Sequence, residues 1–352
     1  MDVPWYKRPS TIPLSITVMA LMIILIGGSV RVLDAGESCP DWPQCFGQWS
    51  FDVSESEQES WYSANPEEID SRGSDHRYTT FEIFTEWVHR LLASLMAIPV
   101  LANFLLLRKK REIYGEHLVK VSFITGILLI VQGIAGYVTV KFNNEDWTVA
   151  LHLVLAISFV SILLWQWILM RKAEGAKWPM FSAPTNFVAK ELKRFTLLSG
   201  AILVLLILGS WVASTSGGNY NQACSVGFPN GWPQCQGDWL PTLDGPGILI
   251  QMIHRIGAGV VGIALILGSM RIRESVREMG AHIGFSRCFD FATGFWMLNV
   301  FVGGLYIVFA NNGDFPEGLS LLHLSVGVAS FLSAIIGTML LKVTTCEDDD
   351  DE

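Results

Sequence analysis

Trp42-Pro43-Gln44-Cys45-Phe46-Gly47-Gln48-Trp49 recurs 190 residues later as Trp232-Pro233-Gln234-Cys235-Gln236-Gly237-Asp238-Trp239, with six of the eight positions identical. A match of that length marks the chain as two copies of one unit, and other pairs extend it. His89-Arg90 returns as His254-Arg255 at an offset of 165, and Leu151-His152-Leu153 returns as Leu322-His323-Leu324 at an offset of 171. Gly28-Ser29 has a counterpart in Gly209-Ser210. The offsets drift, as they do when loops change length and helices do not.

The stretches between these markers are apolar blocks. Of 352 residues, 51% are hydrophobic and 16% charged, and the mean hydropathy of +0.39 is that of a membrane protein. Runs of about 20 mostly apolar residues, enough to cross a hydrocarbon core of ~30 Å, fall near 11–30, 83–107, 119–140, 148–170, 195–215, 248–270, 288–310 and 318–341. The expected fold is an all-α integral membrane protein whose eight transmembrane helices form two pseudosymmetric four-helix bundles. Four spans per unit give both copies one orientation, a parallel repeat about an axis along the membrane normal. The expected boundaries are an N-terminal bundle over 1–171 with a long outer loop at 32–80, a linker at 172–193, a C-terminal bundle over 194–343, and an acidic, solvated tail at 344–352.

Basic residues fix the expected orientation. Lys7, Arg8, Arg108 to Arg111, Arg171, Lys172, Lys190, Lys193, Arg194, Arg271, Arg273 and Arg277 all flank one side, which the positive-inside rule makes cytoplasmic, with both termini. The opposite loops carry the acidic 50–80 stretch, Asn143 to Asp146, Asp314 and Glu317. The first segment has no small-residue cleavage site, so no removed signal is expected. The net charge of −9 comes partly from that outer loop and from Glu347 to Glu352, and implies no nucleic-acid partner.

His89, His152, His254 and His323 lie inside the apolar blocks, where an ionisable group is costly and points to function. At 1.5 Å per residue each sits roughly 8 to 12 Å below the outer end of its helix, so the two of each half can face one another. Two imidazoles from facing helices can hold a haem iron axially; a zinc ion would need further ligands that neither half supplies. A hydrogen-bonded core histidine is the plain alternative for any one of them. His76, His117 and His282 are expected in surface loops. Arg90 and Arg255 follow their histidines and could meet haem propionates or snorkel to the interface, while Arg31 has no basic counterpart. Glu86 lies one turn before His89, whereas Gln251 stands before His254. A carboxylate can transfer a proton where an amide cannot, which separates a reactive first half from a ligand-holding second half.

Cys39 and Cys45 follow the first segment, and Cys224 and Cys235 follow the fifth, all on the outer side where disulfides persist. Each pair reads as a redox couple or as a structural staple. Cys288 and Cys346 read as free thiols near the other face.

Gly36-x-x-Cys39-Pro40-Asp41-Trp42-Pro43-x-Cys45, Glu86-x-x-His89-Arg90, Leu151-His152, His254-Arg255 and Leu322-His323 together resemble the haem A synthase family, over nearly the whole chain. The resemblance implies an enzyme of the bacterial plasma membrane that oxidises the C8 methyl of haem O to a formyl group, making haem A for terminal oxidases. It implies haem b, with its iron, on His254 and His323, and substrate haem O at His89 and His152. It gives Glu86 a catalytic role, and Cys39 and Cys45 a part in electron or proton delivery. Arg90 and Arg255 are expected beside the haems. Membrane lipid, a haem O synthase and terminal oxidase assembly factors are the implied partners. Two departures stand out: residues 50 to 80 lengthen the first outer loop, and ten residues separate Cys224 from Cys235. The rival functions are a quinol-linked di-haem b electron carrier, which leaves Glu86 idle, and a membrane thiol oxidoreductase, which leaves the histidines idle.

Overall fold

A computed structural model describes residues 4–69, 71–213, 223–311 and 315–347. Asp314 and the tail beyond Glu347 lie outside the described residues. Among the described residues ten α-helices carry the fold: α1 (Thr11–Val32), α2 (Glu55–Ala64), α3 (Thr80–Leu95), α4 (Ala97–Lys109), α5 (Arg111–Lys141), α6 (Asp146–Ala173), α7 (Thr185–Ala213), α8 (Pro246–Glu278), α9 (Gly284–Val308) and α10 (Glu317–Val343). Among the described residues, eight spans are long and apolar enough to cross a membrane, with α3 and α4 forming one of them. The protein is an all-α integral membrane protein.

The second span bends because Pro99 sits in the first turn of α4. Its ring leaves no N–H for the carbonyl one turn back, and the helix resets at Met96. The span opens on a capping box, in which the Thr79 side chain accepts from Glu82 N and the Glu82 carboxylate accepts from Thr79 N at 2.7 Å. Gly115, at φ +79°, divides the first turn of α5 from the rest, a conformation that costs glycine little.

In the first half α1 contacts α3, α4 and α6, and α5 lies against α4 and α6; in the second, α7, α8, α9 and α10 close a ring in that order. The halves meet where α1 and α6 pack on α7 and α10. Phe187, Phe195, Phe285 and Phe289 are fully buried at the core of the second half, while Ile98, Leu101, Leu105, Ile127 and Ile130 project outward as a lipid-facing surface.

Three segments differ from the sequence expectation. The linker is shorter than 172–193, because α6 runs to Ala173 and α7 starts at Thr185. Ser182–Pro184 (β1) pairs in parallel with Thr345–Glu347 (β2), so the start of the tail is tied to the linker. The outer loop carries its own small core, in which Phe46, Val53, Tyr62, Tyr78 and Ile83 bury the first disulfide, and α2 is fixed by a capping box from Ser54 and Glu57. His117 is an exposed residue of α5 rather than a loop residue.

Candidate functional site

All four histidines line one continuous cavity of 1460 Å³ that runs from the first half into the second. A single small-molecule site occupies roughly 300–1,000 Å³, so this chamber has room for more than one large planar group. The sequence pictures two sites; the structure joins them.

Each imidazole sits on a glycine of the preceding membrane-spanning helix. A Cβ added at Gly27 would lie 2.8 Å from His89 Cε1, at Gly136 3.1 Å from His152 Cε1, at Gly209 3.0 Å from His254 Cε1, and at Gly303 2.8 Å from His323 Cε1. The same ring atom meets the same kind of seat four times, so the glycines set ring depth and orientation. This register corrects the pairing of Gly28 with Gly209: Gly27 is the histidine seat, while Gly28 packs against Leu321 and Leu324 of α10.

His254 and His323 have ring centroids 6.4 Å apart. Metal–imidazole bonds of about 2.0–2.1 Å place two rings sharing one metal at roughly that separation. His323 Nδ1 lies 3.0 Å from the Asn299 main-chain carbonyl. An N–H donated there leaves Nε2 with its lone pair for a metal. In the first half the Gln132 amide reaches both ring nitrogens of His152, at 3.2 and 3.4 Å, so no single tautomer is selected. His254 Nδ1 is buried without a partner, an incomplete state for an interior polar atom, while the His89 ring faces the Ile23 main-chain carbonyl. Among the described residues no group of three or more His, Cys, Asp and Glu could hold a bare metal ion. A porphyrin iron asks the protein for axial ligands alone, and the histidine pairs fit that demand.

The arginines after the first histidine of each half grip the outer loops. Arg90 donates from Nε to Glu86 Oε1 at 2.5 Å, and to the carbonyls of Asp41 at 2.6 Å and Cys39 at 2.7 Å. Arg255 repeats this with Gln251 Oε1 at 3.3 Å and the carbonyls of Gly231 at 2.8 Å and Gln234 at 3.1 Å. Glu86 neutralises Arg90, whereas Arg255 has a neutral amide in that place and keeps Nη2 buried without a partner. Arg31 donates to the carbonyl of Ala213, linking the outer end of α1 to that of α7.

Cys39–Cys45 and Cys224–Cys235 are both disulfide-bonded, and all four cysteines are at most 1% exposed. Thiol exchange needs access to sulfur, and none is offered here. Cys288 and Cys346 are free. The two loops cover the cavity unequally. Trp232 lies on α9 at Gly304, where an added Cβ would come within 2.9 Å of its indole, while Trp42 is 63% exposed.

The family model described as COX15-CtaA, cytochrome oxidase assembly protein, matches residues 11–335. The chain belongs to that family. Among its relatives, a heme A synthase of Shewanella oneidensis is 26% identical over 284 residues, covering 74% of this chain and 78% of the relative. The heme A synthase of Bartonella quintana is 24% identical over 348 residues, covering 92% and 89%. That of Geobacillus thermodenitrificans is 27% identical over 270 residues, covering 75% and 72%.

In this member of the COX15-CtaA family the residues read from sequence, Glu86, His89, His152, His254, His323 and Arg255, come together around the chamber. The glycine seats, Gln132, Asn299 and the Trp232–Gly304 contact escaped that reading. A glycine on each helix before a histidine helix was the available signal, since small residues mark close helix approach in membranes.

Proposed function

We propose that this chain is a haem A synthase that oxidises the C8 methyl of haem O to the formyl group of haem A. The observation that carries the reading is one chamber with two histidine pairs, of which, among the described residues, only the first has a carboxylate one helical turn before its histidine. Membership of the COX15-CtaA family and the names of its relatives support it.

The second pair is assigned to a resident haem b. His254 and His323 would hold its iron, Asn299 would keep His323 in the ligating tautomer, and Arg255 Nη2 would offer a donor to a propionate. Bound there, haem b supplies one-electron redox chemistry beside the substrate site. Trp232 on Gly304 covers this half.

The first pair is assigned to substrate haem O. His89 and His152 would hold it, and the exposed Trp42 leaves that end open toward the lipid from which an apolar substrate comes. Written with water as the oxygen source, each hydroxylation turns RCH3 and H2O into RCH2OH with two electrons and two protons released, the electrons leaving to a redox partner outside the chain; a second hydroxylation followed by loss of water gives the aldehyde. Glu86 would take the proton, with Arg90 fixing the position of its carboxylate. The buried disulfides act as staples that present the Cys39 and Asp41 carbonyls to Arg90. The face with the basic loops is assigned to the cytoplasm of a bacterial plasma membrane, and the histidine end to the outer side.

The test is co-expression with a haem O synthase and chromatography of the extracted haems. Haem A appearing only with the active chain supports the assignment; haem O accumulating unchanged while haem b loads normally would refute it.

A further inference from the structure

One face of α5 beyond the Gly115 break carries Ser122, Thr125, Gln132 and the glycine seat Gly136 at helical spacing, with Tyr114 just before the break. Its polar groups are linked across three helices. The Asn103 amide of α4 donates to Ser122 Oγ at 3.3 Å and to Gln166 Oε1 of α6 at 2.8 Å, and the Gln166 amide donates to Thr125 Oγ1 at 2.6 Å. All four are at most 1% exposed. Toward the basic-loop face the line ends at Glu174, which accepts from Tyr114 Oη at 3.1 Å, from Ser10 Oγ at 2.7 Å and from Arg171 at 3.0 Å. Toward the histidines it ends at Gln132, bonded to His152.

Two buried carbonyl oxygens on this line, Asn103 Oδ1 and Gln132 Oε1, have no partner. Between their neighbours Thr125 and Gln132 lies Leu129, which lines the chamber, so its floor is one helical turn from Thr125. Leu118 makes the matching break between Tyr114 and Ser122. Interior oxygens left unpaired beside a cavity are the usual seats of buried water.

The second half has no such line on its matching face, although Asn299, the counterpart of Gln132, likewise keeps a buried Oδ1 without a partner. With Gly136 set on Gly303 and Gln132 on Asn299, Leu118, Ser122, Thr125 and Leu129 fall on Phe285, Phe289, Ala292 and Trp296, all at most 3% exposed. Gln166, fourteen residues after His152, falls on Gly337, where an added Cβ would lie 3.4 Å from Phe289 Cε2. The Phe289 ring takes the space of the amide. The hydroxyls nearby, Ser269, Thr293 and Ser330, bond each other or main-chain carbonyls.

We infer that Asn103, Ser122, Thr125, Gln166 and Gln132 line a hydrated path that carries protons between the first histidine pair and the basic-loop face, and that the matching face of α9, from Phe285 to Trp296, is dry. The inference rests on the first half being the reacting one, since oxidising a C–H bond in a buried site moves protons across its walls. Interhelical polar bonding alone, the plain reading of such a cluster, accounts for neither unpaired oxygen.

In a Cys288→Ser, Cys346→Ser background, Ser122→Cys and Thr125→Cys are exposed to a small cationic methanethiosulfonate, with Ala292→Cys as the dry counterpart. Both first-half thiols are expected to react many-fold faster than Ala292→Cys; equal rates would overturn the path. Labelling needs no haem turnover, so it stands apart from the proposed reaction. Gln166→Leu is then expected to lower haem O conversion by about 10²-fold, the lower end for a lost proton-transfer group, with haem b content unchanged. Labelling together with full conversion in Gln166→Leu would overturn the proton role.

Discussion

Arg90 holds Glu86 at 2.5 Å with the same guanidinium that binds the carbonyls of Cys39 and Asp41. The carboxylate, the histidine three residues on and the outer loop are thereby one mechanical unit, and the loop's disulfide stiffens its far side. Gln251 makes the equivalent bond to Arg255 in the second half, so an amide suffices for the clamp. The charge at Glu86 therefore has a use beyond holding the loop.

Glu86→Gln copies the second half into the first. It keeps an acceptor for Arg90 and removes the base, and is expected to reduce haem A formation by about 10²–10⁴-fold while haem content stays at the wild-type level. Chromatography of extracted haems beside the absorption spectrum of the purified protein measures both.

Arg90→Gln should cost stability rather than chemistry alone. Glu86 and Arg90 are 6% and 15% exposed at their side chains, and removing one member of a buried pair costs about 3–5 kcal/mol. The expected outcome is a lower melting temperature in detergent and faster reduction of Cys39–Cys45 by a small thiol, with Arg255 variants leaving that disulfide unaffected.

Gly303→Ala places a methyl 2.8 Å from His323 Cε1. Backbone cannot retreat easily between packed helices, and overpacking costs about 1–3 kcal/mol, so the ring should shift and haem binding weaken. Gly294→Ala, in the same helix with nothing within 4 Å of the new carbon, is the control. Haem per chain after purification should fall in the first variant and not in the second.

Gly304→Leu is expected to lift Trp232, whose indole lies within 3.2 Å of the new carbon, and to uncover the second half. The resident haem should then transfer faster to an apo-globin acceptor, while its absorption spectrum before transfer stays close to the wild type.

Spans, repeat and histidines were legible in the sequence because each depends on composition or on an unusual residue in an apolar block. His89 and His254 stand out from their neighbours; their seats, Gly27 and Gly209, do not, since a glycine in a membrane helix has many uses and only the packed partner shows which one applies. The dipeptide match between Gly28-Ser29 and Gly209-Ser210 misled by one residue for that reason. Arg90 and Arg255 were recognised as costly, but their partners are main-chain carbonyls of a loop about fifty and twenty residues away, which carry no side-chain signal. The core of the outer loop was hidden by its acidic surface, because Phe46, Tyr62 and Tyr78 are scattered among charges and meet only on folding.

The most direct test of two unlike histidine pairs is the type and amount of haem bound per chain in His89→Ala and His254→Ala, each co-expressed with a haem O synthase. The account predicts that His89→Ala keeps haem b and makes no haem A, and that His254→Ala loses its haem b. Equal loss of the same haem from both variants would contradict it.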